Sequence, residues 1–363
     1  MSIFFILAAI LLLCFMVMVH ELGHFLAARW TGIPVKEFAI GFGPKLCSWK
    51  SKKYDTVFFL RLIPAGGYCM FYGEDDAQEK EKNDPRNMAN HAPWKRMLTI
   101  AMGPLMNFVL ALVAATLLFC YVGEDVGGTY GYTVIDTVSE NSPAAEAGLM
   151  KGDILLSVNG EDSSGLASET EVKARAQIGA YREGDAPLQL TLLRGEDVIE
   201  ASVAPRYDET EKRMLMGVTL LPQYTPDYQP VSFLKAIRYG ADYCVRAGGA
   251  VLEGLKALVT TKDGFSQSSG PVGIVQMIAE ETQANGWMVY VQLLVLISVN
   301  LGLFNLIPIP GLDGSRIVFL AVEAIRRKPV PAKVEAYVHL SGYALLLLLM
   351  LAMTFKDILR IFE

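Results

Sequence analysis

Two histidines and a glutamate stand together in the stretch VMVHELGHFLA, from Val17 to Ala27. On a helix, His20 and His24 lie one turn apart, so both imidazoles leave the same face and can share one metal ion, with Glu21 beside them as a base. The residues before them, Ile3 to Val19, include no charged or strongly polar side chain. An ionisable group at the centre of a bilayer costs roughly 2.5–3.5 kcal/mol, so such groups point to function. The bland alternative, a pair of hydrogen-bonded core histidines, requires separate compensation for each of three polar groups. A catalytic zinc takes three protein ligands and leaves a fourth position for water, so a third ligand is expected elsewhere. NLGLFNLIPIPGLDGSRI, from Asn300 to Ile317, offers Asp313. There Pro308 and Pro310 break an apolar helix, and the freed backbone survives at membrane depth only where it lines a protein cavity. The competing reading of Asp313 is a helix cap at the aqueous boundary.

These residues need elements to hold them. The 363-residue chain is 52% hydrophobic with a mean hydropathy of +0.33, too apolar for an ordinary soluble protein. About 20 apolar residues cross a hydrocarbon core of roughly 30 Å, and such runs lie near 3–28, 97–122, 288–307 and 335–355. Four transmembrane helices are therefore expected. The first has no Lys or Arg ahead of it and carries the polar motif where a cleavage site would lie, so it reads as a retained span rather than a signal peptide. Twelve Lys or Arg between Arg29 and Arg96, and Arg326, Arg327, Lys328 and Lys333 after the third span, orient those segments to the cytoplasm. From Val122 to Glu281 thirteen basic residues face twenty-four acidic ones, a net of −11, as suits a translocated domain. Both termini then lie outside. A formal charge of −6 without a basic stripe speaks against nucleic-acid binding. Cys14, Cys47, Cys69, Cys120 and Cys244 share no CxxC spacing, which argues against a disulfide framework or a thiolate zinc site.

After the first span, residues 35–73 are rich in aromatic and β-branched side chains and are broken at KSKKYD and PAGG. They read as a small sheet or pair of hairpins beside the membrane. DDAQEKEKNDPRN has the composition of a solvated cytoplasmic loop. In the acidic region, SPAAEAGLMKGDILLSVNG and the later LQLTLLRGEDVIEASVAP closely resemble the signature and the last strand pair of a PDZ domain, with a small helix around Pro143 to Gly148. From Phe233 to Val259 apolar residues recur at helical spacing, which predicts an amphipathic helix lying on the membrane or, equally, a surface helix packed on the PDZ unit. SGPVGIVQMIAE predicts a turn and a short helix. The expected protein is a polytopic α-helical membrane protein with one inserted extracytoplasmic α+β domain. Its first membrane half covers 1–122 with a cytoplasmic-side β-loop at 35–73, and the PDZ domain covers 127–206. A juxtamembrane amphipathic region covers 207–285, and the second membrane half covers 286–363.

HELGH in the first span, AMGPLMNF in the second, the PDZ module and NLIPIPGLDG in the third together resemble the site-2 protease family of intramembrane zinc metalloproteases, in particular its bacterial regulator-of-sigma-factor branch. The resemblance runs from end to end. It implies that His20, His24 and Asp313 bind Zn2+, that Glu21 is the general base, and that Asn305 holds substrate backbone near the metal. It also implies that RLIPAGGYCMF, with Gly66 and Gly67, is a β-loop that pairs with unwound substrate. In the matching GPxxN element, Asn107 handles substrate or supports packing. Two departures stand out: one PDZ unit where several relatives carry two, and LDGSR in place of the commoner LDGGH. Neither touches a ligand. His91 reads as a surface or interface residue and His339 as a hydrogen-bonded packing residue.

The activity implied is zinc-dependent endoproteolysis of single-span membrane proteins in regulated intramembrane proteolysis. The substrates would be anti-sigma factor or signal-peptide remnants, and the setting a bacterial plasma membrane, with the lipid bilayer as the other partner. The competing class is a catalytically inactive membrane adaptor that tethers partners through its PDZ unit. A metal transporter using the His and Asp residues as a relay leaves Glu21 and the PDZ unit without a role.

Overall fold

The computed structural model describes residues 2–73, 84–127, 129–162, 176–208, 213–260 and 269–362. It divides into two compact units, one of Met1–Tyr121 with Val231–Glu363 and one of Val122–Pro230. Most of the expected solvated loop, residues 75–83, lies outside the described residues.

The first unit is built on helices. An apolar run without a breaker gives α1, Ile3–Thr31, which ends where Gly32 turns left-handed at φ 80° and donates its N–H to the Ala28 carbonyl. The second long helix, α2, spans Pro93–Val122 with Pro104 in its interior. Within this unit α4 spans Phe233–Thr260, α5 Pro271–Asn285, α6 Trp287–Leu306, α7 Asp313–Arg326 and α8 Ala332–Phe362. Among the described residues, four stretches are long and apolar enough to cross a membrane: Ile3–Thr31, Pro93–Val122, Trp287–Leu306 and Lys333–Leu359. Each matches an expected span within a few residues.

Small residues let these helices touch. A Cβ on Gly23 would collide with the Met102 carbonyl of α2, and one on Gly302 with the ring of Phe108, the close backbone approach that membrane helices use. The amphipathic helix α4 packs on membrane helices: Ala247 joins Ala111, Ala114 and Ala115 of α2 and Val295 and Val299 of α6. Asp357 in α8 is buried because its carboxylate accepts the N–H groups of Gly270 (3.1 Å) and Gly273 (2.8 Å). Those are otherwise orphaned donors at the start of α5.

Between α1 and α2 lie two long antiparallel strands, β1 (Val35–Lys50) and β2 (Val57–Phe71). The first half of β1 is flanked twice, by Gly67–Phe71 (Ile40 opposite Gly67) and by Val57–Leu60 (Glu37 opposite Val57). Gly67–Phe71 is therefore an edge of this sheet.

In the second unit α3 is a single turn, Pro143–Glu146, capped by Ser142 Oγ accepting the Ala145 N–H at 3.2 Å. The remaining strands are β3 (Glu124–Asp125), β4 (Thr129–Val138), β5 (Ile154–Val158), β6 (Glu161–Asp162), β7 (Leu188–Arg194), β8 (Asp197–Val203), β9 (Arg206–Asp208), β10 (Arg213–Leu215), β11 (Val218–Thr225) and β12 (Tyr228–Gln229). The main sheet runs β11-β4-β5-β7-β8, with β6 on β5. Ile135, Leu155, Leu190, Leu192 and Val203 fill its core. The expected boundary at 206 is too early. Val218 to Thr225 pairs with β4 and Leu220 joins the same core, so 207–230 folds with this unit and only the helices from Phe233 on belong to the membrane unit. No local signal marks this, because the pairing closes across more than seventy residues of chain.

Candidate metal centre

HELGH sits well inside α1, so the helical period alone brings His20 and His24 onto one face. Both are buried, with ring centroids 4.8 Å apart. The third residue arrives from 293 residues away. α6 stops at Leu306, Ile307 is extended, and Gly311 is left-handed at φ 96°. The chain then restarts as α7 with Asp313 in its first turn, where the helix dipole favours a carboxylate. Asp313 Oδ2 lies 3.0 Å from His20 Nε2 and 3.4 Å from His24 Nε2, and the two Nε2 atoms are 3.2 Å apart.

Three donor atoms thus converge on one point. His24 Nδ1–H donates to the Thr99 carbonyl at 3.0 Å, which leaves the lone pair of the neutral ring on Nε2. On His20, Nδ1 lies 3.0 Å from Asn107 Nδ2, while Asn107 Oδ1 has no partner among the described residues. With the amide turned so that Oδ1 faces the ring, His20 also donates from Nδ1 and keeps its Nε2 lone pair. Two such lone pairs and a carboxylate oxygen repel one another unless a cation sits among them. Donors around a tetrahedral zinc at about 2.0–2.1 Å are about 3.3 Å apart, which is the spacing here. The donor set fits zinc.

One feature of α2 makes the arrangement possible. A Cβ on Gly103 would collide with both imidazoles. The sequence reading does not single out Gly103, although a glycine in a span is itself a sign of close approach.

Glu21 reaches the neighbouring hairpin: the Cys69 N–H, on the edge of β2, donates to its carboxylate. One cavity of about 300 Å3 is lined by His20, Glu21, His24, Asp313 and Asn305, with Tyr68 and Cys69 at its border. Arg316, at the position where LDGSR departs from the commoner motif, also lines it. Asn305 donates its Nδ2 to Leu301 O at 2.9 Å. Gly67 backs onto Glu21, with a Cβ there 3.7 Å from Glu21 Cγ and in collision with the Ala39 carbonyl. Gly66 sits against the Phe42 ring, and neither it nor the buried Asn107 lines the cavity. The remaining histidines stand apart. His339 accepts the Gly311 N–H at 3.3 Å, and His91 is half-buried with no hydrogen bond at Nε2 among the described residues.

Two buried histidines and a partly buried aspartate, with a glutamate one residue from the first imidazole and helices apolar enough for a membrane around them, form the kind of donor set that a membrane-bound zinc metallopeptidase uses. The chain matches the profile of Peptidase family M50 over residues 8–349 and belongs to that family, the site-2 proteases. It is 31% identical to the regulator of sigma-W protease RasP of Bacillus subtilis, over 98% of this chain and 99% of that one. The zinc metalloproteases RasP of Bacillus licheniformis (32%, covering 98% and 99%) and of Shouchella clausii (31%, covering 99% and 99%) are similar over the same extent. Among solved structures, the PDZ domain of an SdrC-like protein from Listeria monocytogenes aligns with 26% of this chain and 94% of its own, at 21% identity and a TM-score of 0.22. The protein is thus a zinc-dependent intramembrane metalloendopeptidase.

Proposed function

We propose that His20, His24 and Asp313 hold the zinc ion and that Glu21 is the general base for cleavage of a peptide bond within the membrane. The observation that carries this reading is the approach of two Nε2 atoms and Asp313 Oδ2 to within 3.0–3.4 Å of one another, in the cavity that Glu21 also lines. Bound there, zinc supplies a Lewis acid that polarises a carbonyl and acidifies water. Glu21, oriented by the Cys69 N–H, takes the proton of the attacking water and hands it to the leaving amine. Asn107 fixes the tilt of the His20 ring, a positioning role that its burial supports over substrate contact. Gly103 leaves room for both rings.

A helical substrate hides its carbonyls in i to i−4 hydrogen bonds and has to be unwound before attack. The edge at Gly67 to Phe71 runs along the cavity and takes the opened strand by backbone pairing. Gly66, one residue ahead of that edge and packed against the Phe42 ring, serves this only indirectly. Asn305 holds the strand from the opposite side.

The four helices cross the bacterial plasma membrane, with Arg29 to Arg96 on the cytoplasmic side and Val122–Pro230 outside, as the basic residues favour. Both termini are then outside. The outer unit acts as a PDZ domain that admits substrates by size or reads a newly made carboxyl terminus. The substrates are single-span proteins or remnants, of the anti-sigma factor or signal-peptide kind.

Glu21→Gln should retain equimolar zinc and lose roughly 10²–10⁴-fold in cleavage of a single-span substrate, the usual scale of general-base catalysis. His20→Ala or Asp313→Ala should lose the metal as well. Cleavage by Glu21→Gln at a rate near wild type sinks the base assignment, and full zinc content in His20→Ala and Asp313→Ala sinks the ligand assignment. Comparing the membrane peptides of cells with active and Glu21→Gln enzyme would identify the substrate.

A further inference from the structure

Where α1 ends at Thr31, its last turn opens onto a cavity of about 750 Å3 floored by the loop between β1 and β2. Five cations line it, Arg29, Lys50, Lys52, Lys53 and Arg86, against one carboxylate, Asp55. Asp55 is shared by Lys50 and Arg86, and Arg86 also pairs with Asp84 at 2.8 Å. The Arg29 guanidinium lies over the Tyr54 ring. Lys52 and Lys53 are exposed and form no ion pair among the described residues. Among the described residues lining the cavity, cations outnumber carboxylates five to one.

The rim of this cavity continues into an apolar ridge. Leu7, Leu11, Phe15, Leu26 and Trp30 are all exposed and share one side of α1, four residues or whole turns apart. The ridge ends at Trp30, 80% exposed and adjacent to Arg29. Trp49, 54% exposed, stacks on Phe58 with centroids 5.4 Å apart beside the same loop. Tryptophans gather at the level of the lipid headgroups, so the cations and the end of the ridge meet at that depth.

We propose that this cavity binds the phosphate of an anionic phospholipid whose acyl chains lie along the α1 ridge. A soluble phosphate would find the same cations and gain nothing from the ridge, whereas a lipid uses both. The inference rests on α1 being in the membrane and not on the roles assigned at the metal centre. β2 runs from this loop to Cys69 beside Glu21. The lipid therefore anchors one end of the strand whose other end borders the cleavage cavity.

Full-length protein, delipidated in neutral detergent, can be titrated with dioctanoyl phosphatidylglycerol, dioctanoyl phosphatidylcholine or inorganic phosphate and read by native mass spectrometry. One phosphatidylglycerol adduct should persist where phosphatidylcholine is stripped, and inorganic phosphate at equal concentration should not displace it. The double variant Lys52→Gln, Lys53→Gln should weaken that adduct roughly tenfold, a loss in keeping with two lysines near an anionic surface. Lys52→Arg with Lys53→Arg should keep it, which separates lost charge from lost folding. Equal retention of phosphatidylcholine, displacement by inorganic phosphate, or an unchanged adduct in the glutamine variant would overturn the proposal.

Discussion

Gly103 has no side chain, and the two imidazoles occupy the space where one would sit. Alanine is the better helix former, so Gly103→Ala should leave α2 intact while pushing His20 and His24 out of line. Zinc affinity, measured by chelator competition, should fall about 10–100-fold, the usual cost of disturbing the groups that orient metal ligands. Wild-type affinity in this variant would show that the helices yield instead. In the second unit, Asp153 is 1% exposed and accepts hydrogen bonds from Arg194 Nε and Nη2, both at 2.7 Å, and from the Met150 N–H at 2.8 Å. The Arg194 pair holds its carboxyl below the usual aspartate range. The stability this confers is therefore complete above the unfolded value of about 3.9 and drains away as pH falls from there through the lower folded value. Acid unfolding of this unit, followed by near-ultraviolet circular dichroism, should lose that dependence in Asp153→Asn. An identical acid limb in the variant would remove Asp153 from the account.

At the scale of elements, α7 decides whether the third donor arrives. The ladder of α6 ends at Leu306 and cannot hold α7, which begins at Asp313. Its seat is its own packing: Ile317 and Leu320 against Ala28, Val35, Phe71 and Ile100, and the ion pair of Glu323 with Arg96 of α2. Arg96 Nη1 donates to both Glu323 oxygens at 3.0 Å, and the two side chains are only 15% and 17% exposed. Arg96→Ala should cost about 1–3 kcal/mol of stability and weaken zinc retention. Arg96→Glu combined with Glu323→Arg should restore part of both. A single variant with unaltered melting and metal content would assign the seat of α7 to the apolar contacts alone. Pro308 and Pro310 spelled out the break before α7 in advance, whereas its partner across the unit did not show in the sequence, because that contact spans 227 residues.

For the molecule as a whole, the second unit is a single insertion in the sequence of the first. The chain leaves through Glu124–Asp125 and returns through Tyr228–Gln229, and these two short strands pair. Every residue lining the metal centre belongs to the first unit. Replacing 123–229 by a short Gly-Ser linker should therefore leave one zinc per chain and cleavage of a short unstructured peptide, while altering which full-length substrates are cut. Loss of zinc from the excised protein would contradict this separation.

Local chemistry was legible in the sequence wherever a short period or motif fixes it. The helical spacing of HELGH put His20 and His24 on one face beside Glu21, and the apolar runs marked the four stretches long enough to cross a membrane. What lay beyond reach depended on chain segments meeting across long separations. Asp313 could be nominated as the third donor, but only the packing of α7 brought its oxygen to 3.0 Å from His20. The pairing of β11 with β4 moved the domain boundary to residue 230, and Gly103 acquired its role only once α1 lay against α2. Helical period and hydropathy act within a few residues and are written in neighbouring side chains; close packing and strand pairing are properties of the assembled interior, where a missing Cβ or a distant edge decides what fits.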